Sequence, residues 1–270
     1  MQSICLIIPC YNESERLQKA SIVEALATYS KLHLCFVNDG SNDDTTLSLV
    51  EMLKELPDDL KLRCWVVSYL KNKGKSGAIQ QGLLAMIKRS ILPFTEIQTF
   101  ELKGDDFQIG SSDVPDFEYF GYWDADLATP FNELEWFFYH AQSGQYLLMM
   151  GSRVARLGAE IHRTIFRHYS GRLFATAISQ GLGWKVHDTQ CGAKIFKREV
   201  LEVIVSEPFV TQWLFDVEIL LRMKKKWGES VRNQILEVPL RKWEDVKGSK
   251  IGIKDFVKVP IQIWKVFRSY

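Results

Sequence analysis

The chain has 270 residues, 46% of them apolar, which is enough for one sizeable α/β domain; no Pro/Gly/Ser-rich linker or internal repeat divides it. A formal net charge of +1 excludes a surface built for bulk nucleic-acid binding, which is strongly basic as a rule. The scattered cysteines Cys5, Cys10, Cys35, Cys64 and Cys191 make no Cys-x-x-Cys pair and predict a reducing, cytoplasmic compartment. The N-terminus has no signal-peptide pattern, and no apolar stretch approaches the roughly 20 residues that span a bilayer.

"SICLIIPC" is a continuous apolar run, the pattern of a strand buried on both faces, and "ESERLQKASIVEALATYS" follows with helical spacing. "LHLCFVND" reads as a second buried strand, and "DDTTLSLVEMLKEL" as a helix capped by Asp43 or Asp44. "KLRCWVVSYL" and "GKSGAIQQGLLAMIKRS" repeat the alternation. Short connections between strand and helix predict parallel strands with right-handed crossovers, a Rossmann-like half-domain. Residues 91–118 break the pattern with acidic excess, two prolines and no clean period, and read as an irregular or hairpin insertion.

"FEYFGYWDAD" gives the fourth strand. Thr129 as cap, Pro130 at the first helical position and Glu133 in the first turn predict the next helix. "YLLMMGSRV" is a fifth strand. "IHRTIFRHYSGRLFATAISQGLG" is a long helix carrying Arg163 and Arg167 four apart on one face. "TQCGAKIFKREVL", "FVTQWLFDVEILLRMKKKWG" and "QILEVPLRKWEDVKGSKI" supply a strand-like piece, a helix and a late strand. In the last segment, Val257, Ile261 and Trp264 are expected to dock on the domain. The alternative is that its aromatics, with Lys254, Lys258, Lys265 and Arg268, rest on an anionic membrane surface.

Ligands of open α/β sheets bind beyond the carboxyl ends of the strands. The loops there read "PCYNES", "NDGSND", "KNKGKSG" and "DADLATP", all polar. Glycine in the third allows close backbone approach, and Lys73 and Lys75 offer cations suited to phosphate. Neither a Walker A nor a Gly-x-Gly-x-x-Gly spacing is present. Asp124 and Asp126 stand two apart, so on a continuing strand their carboxylates share one face and repel unless a cation sits between them. Paired oxygen ligands with room for phosphate oxygens suit Mg²⁺ or Mn²⁺; the plainer reading is that one aspartate caps the next helix.

"IIPCYNESERL", "FVNDGSNDDT", "NKGKSGAIQQGL", "GYWDADLATP", "GSR", "DTQCGAKIF", "FDVEILLR" and "WEDVKGSKI" occur in that order. Together they resemble the inverting family 2 glycosyltransferases, nearest the branch of dolichyl-phosphate β-glucosyltransferase and dolichyl-phosphate mannose synthase. The resemblance implies a GT-A fold, α/β with a Rossmann-like, mostly parallel central sheet flanked by helices. The whole of 1–270 is then one glycosyltransferase domain. Its parts are a nucleotide-sugar half over 1–130, an acceptor half over 131–250 and a basic–aromatic end over 251–270.

The same resemblance implies a nucleotide diphosphate sugar donor. Pro9, Tyr11 and Glu13 would line the nucleoside pocket, Asp39 would bind base or ribose, and Lys75 would sit near the nucleotide. Asp124 and Asp126 would form the D-x-D pair for metal and diphosphate. Where mannose synthases place a metal-binding glutamine this chain has Ala128, and "DLATP" favours UDP-glucose over GDP-mannose. Arg153, Arg163 and Arg167 would hold an acceptor phosphate, although the latter two equally fit a solvated helix face. Asp188 and Gln190 match a motif near the donor sugar, Ser249 and Lys250 a loop closing over the diphosphate, and Trp243 a residue packing under it.

The expected acceptor is a polyprenyl phosphate. A hydroxyl acceptor on a glycan or protein is the alternative, with Asp216 as general base, because a hydroxyl needs one and a phosphate does not. Asp216 or Glu218 can instead pair with Arg222. From another class, haloacid-dehalogenase-type phosphatases also carry Asp-x-Asp after a strand, but want Thr or Val where Ala128 stands. A noncatalytic nucleotide-sugar-binding protein is disfavoured by the intact Asp124 and Asp126. The expected location is cytoplasmic, at most peripheral on a membrane's cytoplasmic face, with no nucleic-acid partner.

Overall fold

A computed structural model describes residues 3–88, 92–93, 106–111, 114–162, 165–246 and 253–270. Two compact units emerge, Met1–Leu127 and Ala128–Tyr270.

The first unit runs β1 (Ile4–Cys10), α1 (Lys19–Thr28), β2 (Leu32–Asp39), α2 (Thr45–Glu55), α3 (Asp58–Lys61), β3 (Cys64–Tyr69), α4 (Gly74–Lys88), β4 (Leu92–Pro93), β5 (Phe107–Gly110) and β6 (Tyr119–Trp123). Strands β6, β1, β2 and β3 lie side by side and parallel. Their apolar runs are almost wholly buried, as a parallel sheet covered on both faces requires. Helix α4 seats on this sheet through Gly82, where a Cβ would lie 2.7 Å from Ile7 Cγ2 and from Val37 Cγ2. Within the expected insertion, β5 pairs antiparallel with β3 and extends the sheet edge; residues 94–105 lie outside the described part. Cys5, Cys35 and Cys64 stand on the three adjacent strands β1, β2 and β3, all buried and unoxidised.

The second unit holds α5 (Leu134–Ala141), β7 (Leu148–Ser152), β8 (Glu160–His162), α6 (Ile165–Leu182), β9 (Ala193–Lys197), α7 (Leu201–Val205), α8 (Phe215–Trp227), β10 (Ile235–Pro239), β11 (Lys242–Glu244) and α9 (Ile253–Ser269). Strand β7 pairs parallel with β10 and antiparallel with β9, and β8 pairs parallel with β11. On α8, Glu218 and Arg222 form the buried i,i+4 pair that their spacing predicts, at 2.7 Å, with the Tyr270 hydroxyl donating to the same Glu218 oxygen.

Three local expectations are corrected. Strand β6 stops at Trp123, and the Leu127 N–H donates to the Asp124 carbonyl at 3.1 Å, closing a turn with Leu127 at φ +51°. Asp124 and Asp126 therefore do not share a strand face. Thr129 and Pro130 do not begin an α-helix: Pro130 is extended (φ −70°, ψ 153°), a 3₁₀ turn spans Phe131–Glu133, and α5 starts at Leu134. Proline fixes φ but leaves ψ open, so its ring alone does not start the helix. On α9, Ile261 and Trp264 are 66% and 59% exposed rather than docked, while Val266 is fully buried. The side chain of Val257 lies outside the described part.

Candidate active site

The parallel order of β6, β1, β2 and β3 brings four loops to one edge of the first unit, and hydrogen bonds stitch them together. The Asn12 N–H donates to Ser41 Oγ at 3.0 Å, and the Asn42 N–H returns a bond to Asn12 Oδ1 at 2.9 Å. Asn12 sits at φ +50°, a conformation asparagine tolerates better than most residues. The Glu13 N–H donates to Thr45 Oγ1, and Asp43 accepts from the Ser14 hydroxyl and from the Thr45 N–H. Asp43 is thus the carboxylate that orders the start of α2, whereas Asp44 makes no side-chain cap bond. Glu13 also holds Arg16 at 2.8 Å.

The second and third loops meet at Asp39. Its carboxylate accepts from the Lys73 N–H at 2.8 Å, while Asn72 Nδ2 donates to its carbonyl at 3.0 Å. Gly40 makes this approach feasible: at φ +65°, a Cβ there would lie 2.6 Å from Asn72 N. Burial raises the Asp39 carboxyl above the ordinary range, against the pull of the Lys73 and Gly74 N–H groups. Lys73 lies over the Tyr69 ring, 4.1 Å from its centroid.

The fourth loop joins the others at two points. Gln18 Nε2 donates to the Asp126 carbonyl at 3.0 Å, and Lys75 Nζ lies 2.5 Å from Asp124 Oδ1. Pro9 and Tyr11 are half-buried at the end of β1 and just beyond it. Of the sequence-derived nucleotide and metal candidates, Glu13, Asp39, Lys75, Asp124 and Asp126 thus belong to this stitched edge. Gln18 and Asn72 hold it together without having been singled out in the sequence, and Asp43, expected only as a helix cap, also ties Ser14 to it, since polar loop residues give no signal of the loop they bond to.

For a divalent ion the donor set is two carboxylates on one turn; among the described residues no cluster of three His, Cys, Asp or Glu side chains stands ready. That chemistry fits Mg²⁺ or Mn²⁺, which take one or two carboxylates and complete their shell with water and phosphate oxygens. It does not fit an ion that needs a closed protein cage.

In the second unit the candidates form two linked clusters. Arg153 donates through Nε and Nη2 to the two oxygens of Asp188, both at 2.7 Å, and its backbone N–H adds a bond of 2.9 Å. Glu237, absent from the sequence-derived set, accepts from the His187 and Asp188 N–H groups at 2.8 Å each. The indole of Trp243 faces the Arg153 guanidinium at 5.4 Å. Gln190 follows, its side-chain nitrogen buried with no hydrogen-bond partner among the described residues.

The second cluster explains Asp216. Lys194 is a buried lysine in the otherwise apolar run of strand β9, 1% exposed, and its Nζ lies 2.6 Å from Asp216 Oδ1. The same ammonium donates to the carbonyls of Thr189 at 2.8 Å and Cys191 at 2.7 Å. Asp216, itself 4% exposed, therefore secures the Thr189–Cys191 loop through Lys194. A lysine inside "CGAKIF" was the sequence signal, because a buried ammonium demands an anion.

Arg163, Ser249 and Lys250 lie outside the described residues, as does the side chain of Arg167 in α6. Among the described residues no helix is long and apolar enough to cross a membrane.

Residues 5–91 match the family model described as glycosyl transferase family 2. The dolichyl-phosphate beta-glucosyltransferase of Saccharomyces cerevisiae is 27% identical over 260 residues, covering 93% of this chain and 69% of that protein. The human dolichyl-phosphate beta-glucosyltransferase is 28% identical over 270 residues, covering 93% and 70%. Among solved structures, glucosyl-3-phosphoglycerate synthase from Mycobacterium tuberculosis with UDP matches at a TM-score of 0.62 and 16% identity, over 99% of this chain and 79% of that one. The same enzyme with Mn²⁺, UDP-glucose and phosphoglyceric acid matches at 0.60 and 16% identity, over the same shares. These likenesses establish the fold as GT-A and set the phosphatase alternative aside.

Proposed function

We propose that this chain, a hexosyltransferase carrying a glycosyltransferase family 2 domain in a GT-A fold, moves glucose from UDP-glucose to a polyprenyl phosphate with inversion. The donor half of the reading draws on the stitched loop edge. Pro9, Tyr11 and Glu13 line the nucleoside pocket, and Asp39 accepts from the base or ribose. Lys75 serves the diphosphate, and Asp124 and Asp126 hold a Mg²⁺ or Mn²⁺ ion with it. That ion neutralises the negative charge that grows on the diphosphate as its bond to the sugar breaks. Similarity to dolichyl-phosphate glucosyltransferases favours glucose, and a solved relative of the same fold binds UDP-glucose with Mn²⁺.

The observation that carries the acceptor class is the Lys194–Asp216 pair. A hydroxyl acceptor needs a carboxylate able to take its proton, within hydrogen-bond reach and near neutral pKa. Asp216 is buried and bonded to an ammonium, and Asp188 is held by the Arg153 fork and the Arg153 N–H. Both carboxylates are thus already engaged by a cation rather than turned to an acceptor hydroxyl. A phosphate acceptor is already an anion at neutral pH and attacks the anomeric carbon directly. The new C–O bond forms as the old one breaks, and UDP leaves with the electron pair. Arg153, Gln190 and Trp243 then serve acceptor or diphosphate binding, together with Arg163, Arg167, Ser249 and Lys250.

The test is transfer from radiolabelled UDP-glucose to dolichyl phosphate in detergent with Mn²⁺. A labelled, organic-phase product that releases glucose in mild acid is expected. Label appearing only on a glycan or protein hydroxyl, with no lipid product, would overturn the acceptor reading.

A further inference from the structure

Asp124, half of the proposed metal pair, is in contact with a cation supplied by the chain itself. Lys75 Nζ lies 2.5 Å from its Oδ1, and the two side chains are 36% and 35% exposed. The lysine comes from the first turn of α4, and its ammonium also lies 5.9 Å from the Tyr122 ring centroid, one residue before the end of β6. Lysine carries its charge on a flexible four-carbon stem that can swing from one anion to another. At more than a third exposure the pair is screened by water, so a divalent ion can displace the ammonium.

We infer that Lys75 is a positioning residue that occupies Asp124 in the donor-free protein, yields it when metal and diphosphate arrive together, and then turns its charge to the diphosphate. The inference rests on the metal reading of Asp124 and Asp126. Its consequence is ordered binding: metal alone competes with a tethered cation, whereas a diphosphate offers that cation a second anion. Free divalent ion is therefore bound weakly, and the nucleotide raises metal affinity by more than its own oxygen ligands supply. By reciprocity the metal raises nucleotide affinity by the same factor.

The experiment measures Mn²⁺ binding to the whole chain by the electron paramagnetic resonance of free Mn²⁺, with and without UDP, in wild type, Lys75→Met and Lys75→Arg. In Lys75→Met, Mn²⁺ without UDP should bind roughly three- to tenfold more tightly, since one competing charge is gone. UDP measured at saturating Mn²⁺ should bind about tenfold more weakly, because a charge-assisted contact is lost. Lys75→Arg should keep wild-type Mn²⁺ affinity. A residue that merely shaped the loop would weaken both ligands together, and that outcome overturns the inference, as does unchanged Mn²⁺ affinity in Lys75→Met. If neither wild type nor Lys75→Met binds Mn²⁺ even with UDP, the metal reading itself fails.

Discussion

Lys194 and Asp216 meet at 2.6 Å with both side chains almost fully removed from water. Water hardly reaches either charge, so removing one leaves the other without its counter-charge and without solvent to replace it. Asp216→Asn should lower unfolding free energy by about 3 kcal/mol, the range for breaking a buried pair. Urea denaturation followed by circular dichroism checks this. Activity per folded molecule should fall far less than stability. A loss of several orders in kcat at unchanged stability would instead make Asp216 a base. Replacing both partners, Lys194→Met with Asp216→Leu, should recover only part of the stability, because the carbonyls of Thr189 and Cys191 lose their donor.

Arg153 binds Asp188 through a planar two-pronged contact that lysine cannot copy. Arg153→Lys should reduce kcat/KM by about 10- to 100-fold while leaving the fold intact, if its geometry serves the acceptor or the diphosphate. Steady-state kinetics against both substrates, with the near-neutral circular dichroism spectrum as control, decides. An unchanged kcat/KM would confine the pair to holding the chain between β9 and α6.

Asp126→Ala should abolish metal-stimulated donor turnover and the Mn²⁺-dependent part of the thermal shift produced by UDP. A panel of UDP, GDP, dTDP and CDP, each with and without Mn²⁺, should show the largest stabilisation with UDP, since ligands that bind the native state raise its melting temperature. A greater shift with GDP would reassign the donor. Chelation with EDTA should reverse the Mn²⁺ increment without unfolding the protein.

His33 lies against Trp65 and Phe117, with ring centroids 6.0 and 4.9 Å away, and burial pushes its pKa down to about 4 despite the Lys31 carbonyl beside it. In the unfolded chain histidine titrates near 6.5, so between those values the unfolded state binds more protons. Stability should therefore be level above about pH 6.5 and fall as pH drops toward 4, by on the order of 3 kcal/mol from this group. His33→Phe should flatten that acid limb in guanidinium melts at a series of pH values. An equally steep limb in the variant would assign it to other groups.

Much of this was legible from residues alone. The apolar runs of β1, β2 and β3 announce buried parallel strands, and that order obliges their following loops to share an edge. The Glu218–Arg222 spacing predicts its own ion pair. What escaped is tertiary. Nothing local says that Asn12 reaches Ser41, that Gln18 holds the carbonyl of Asp126, or that Asp216 is answered by Lys194. The turn after Trp123 also escaped, because "DAD" continues the alternation of a strand and only the Leu127 N–H bond to Asp124 reveals the reversal. Pro130 misled for a related reason: its ring constrains one dihedral angle, and the other was decided by the 3₁₀ turn that follows.

The thiols of Cys5, Cys35 and Cys64 run across three neighbouring strands at the centre of the first unit, and burial raises all three above the ordinary thiol range, Cys64 to about 12. In the closed sheet they are both unreachable and unreactive, and they become thiolates only when strands part. The chain thus carries its own clock: the rate at which a thiol reagent labels these positions, set against Cys191 in the second unit, times the opening of one half independently of the other. If UDP slows the first rate and leaves the second alone, the nucleotide will have been located by a chemistry that the transfer reaction never uses.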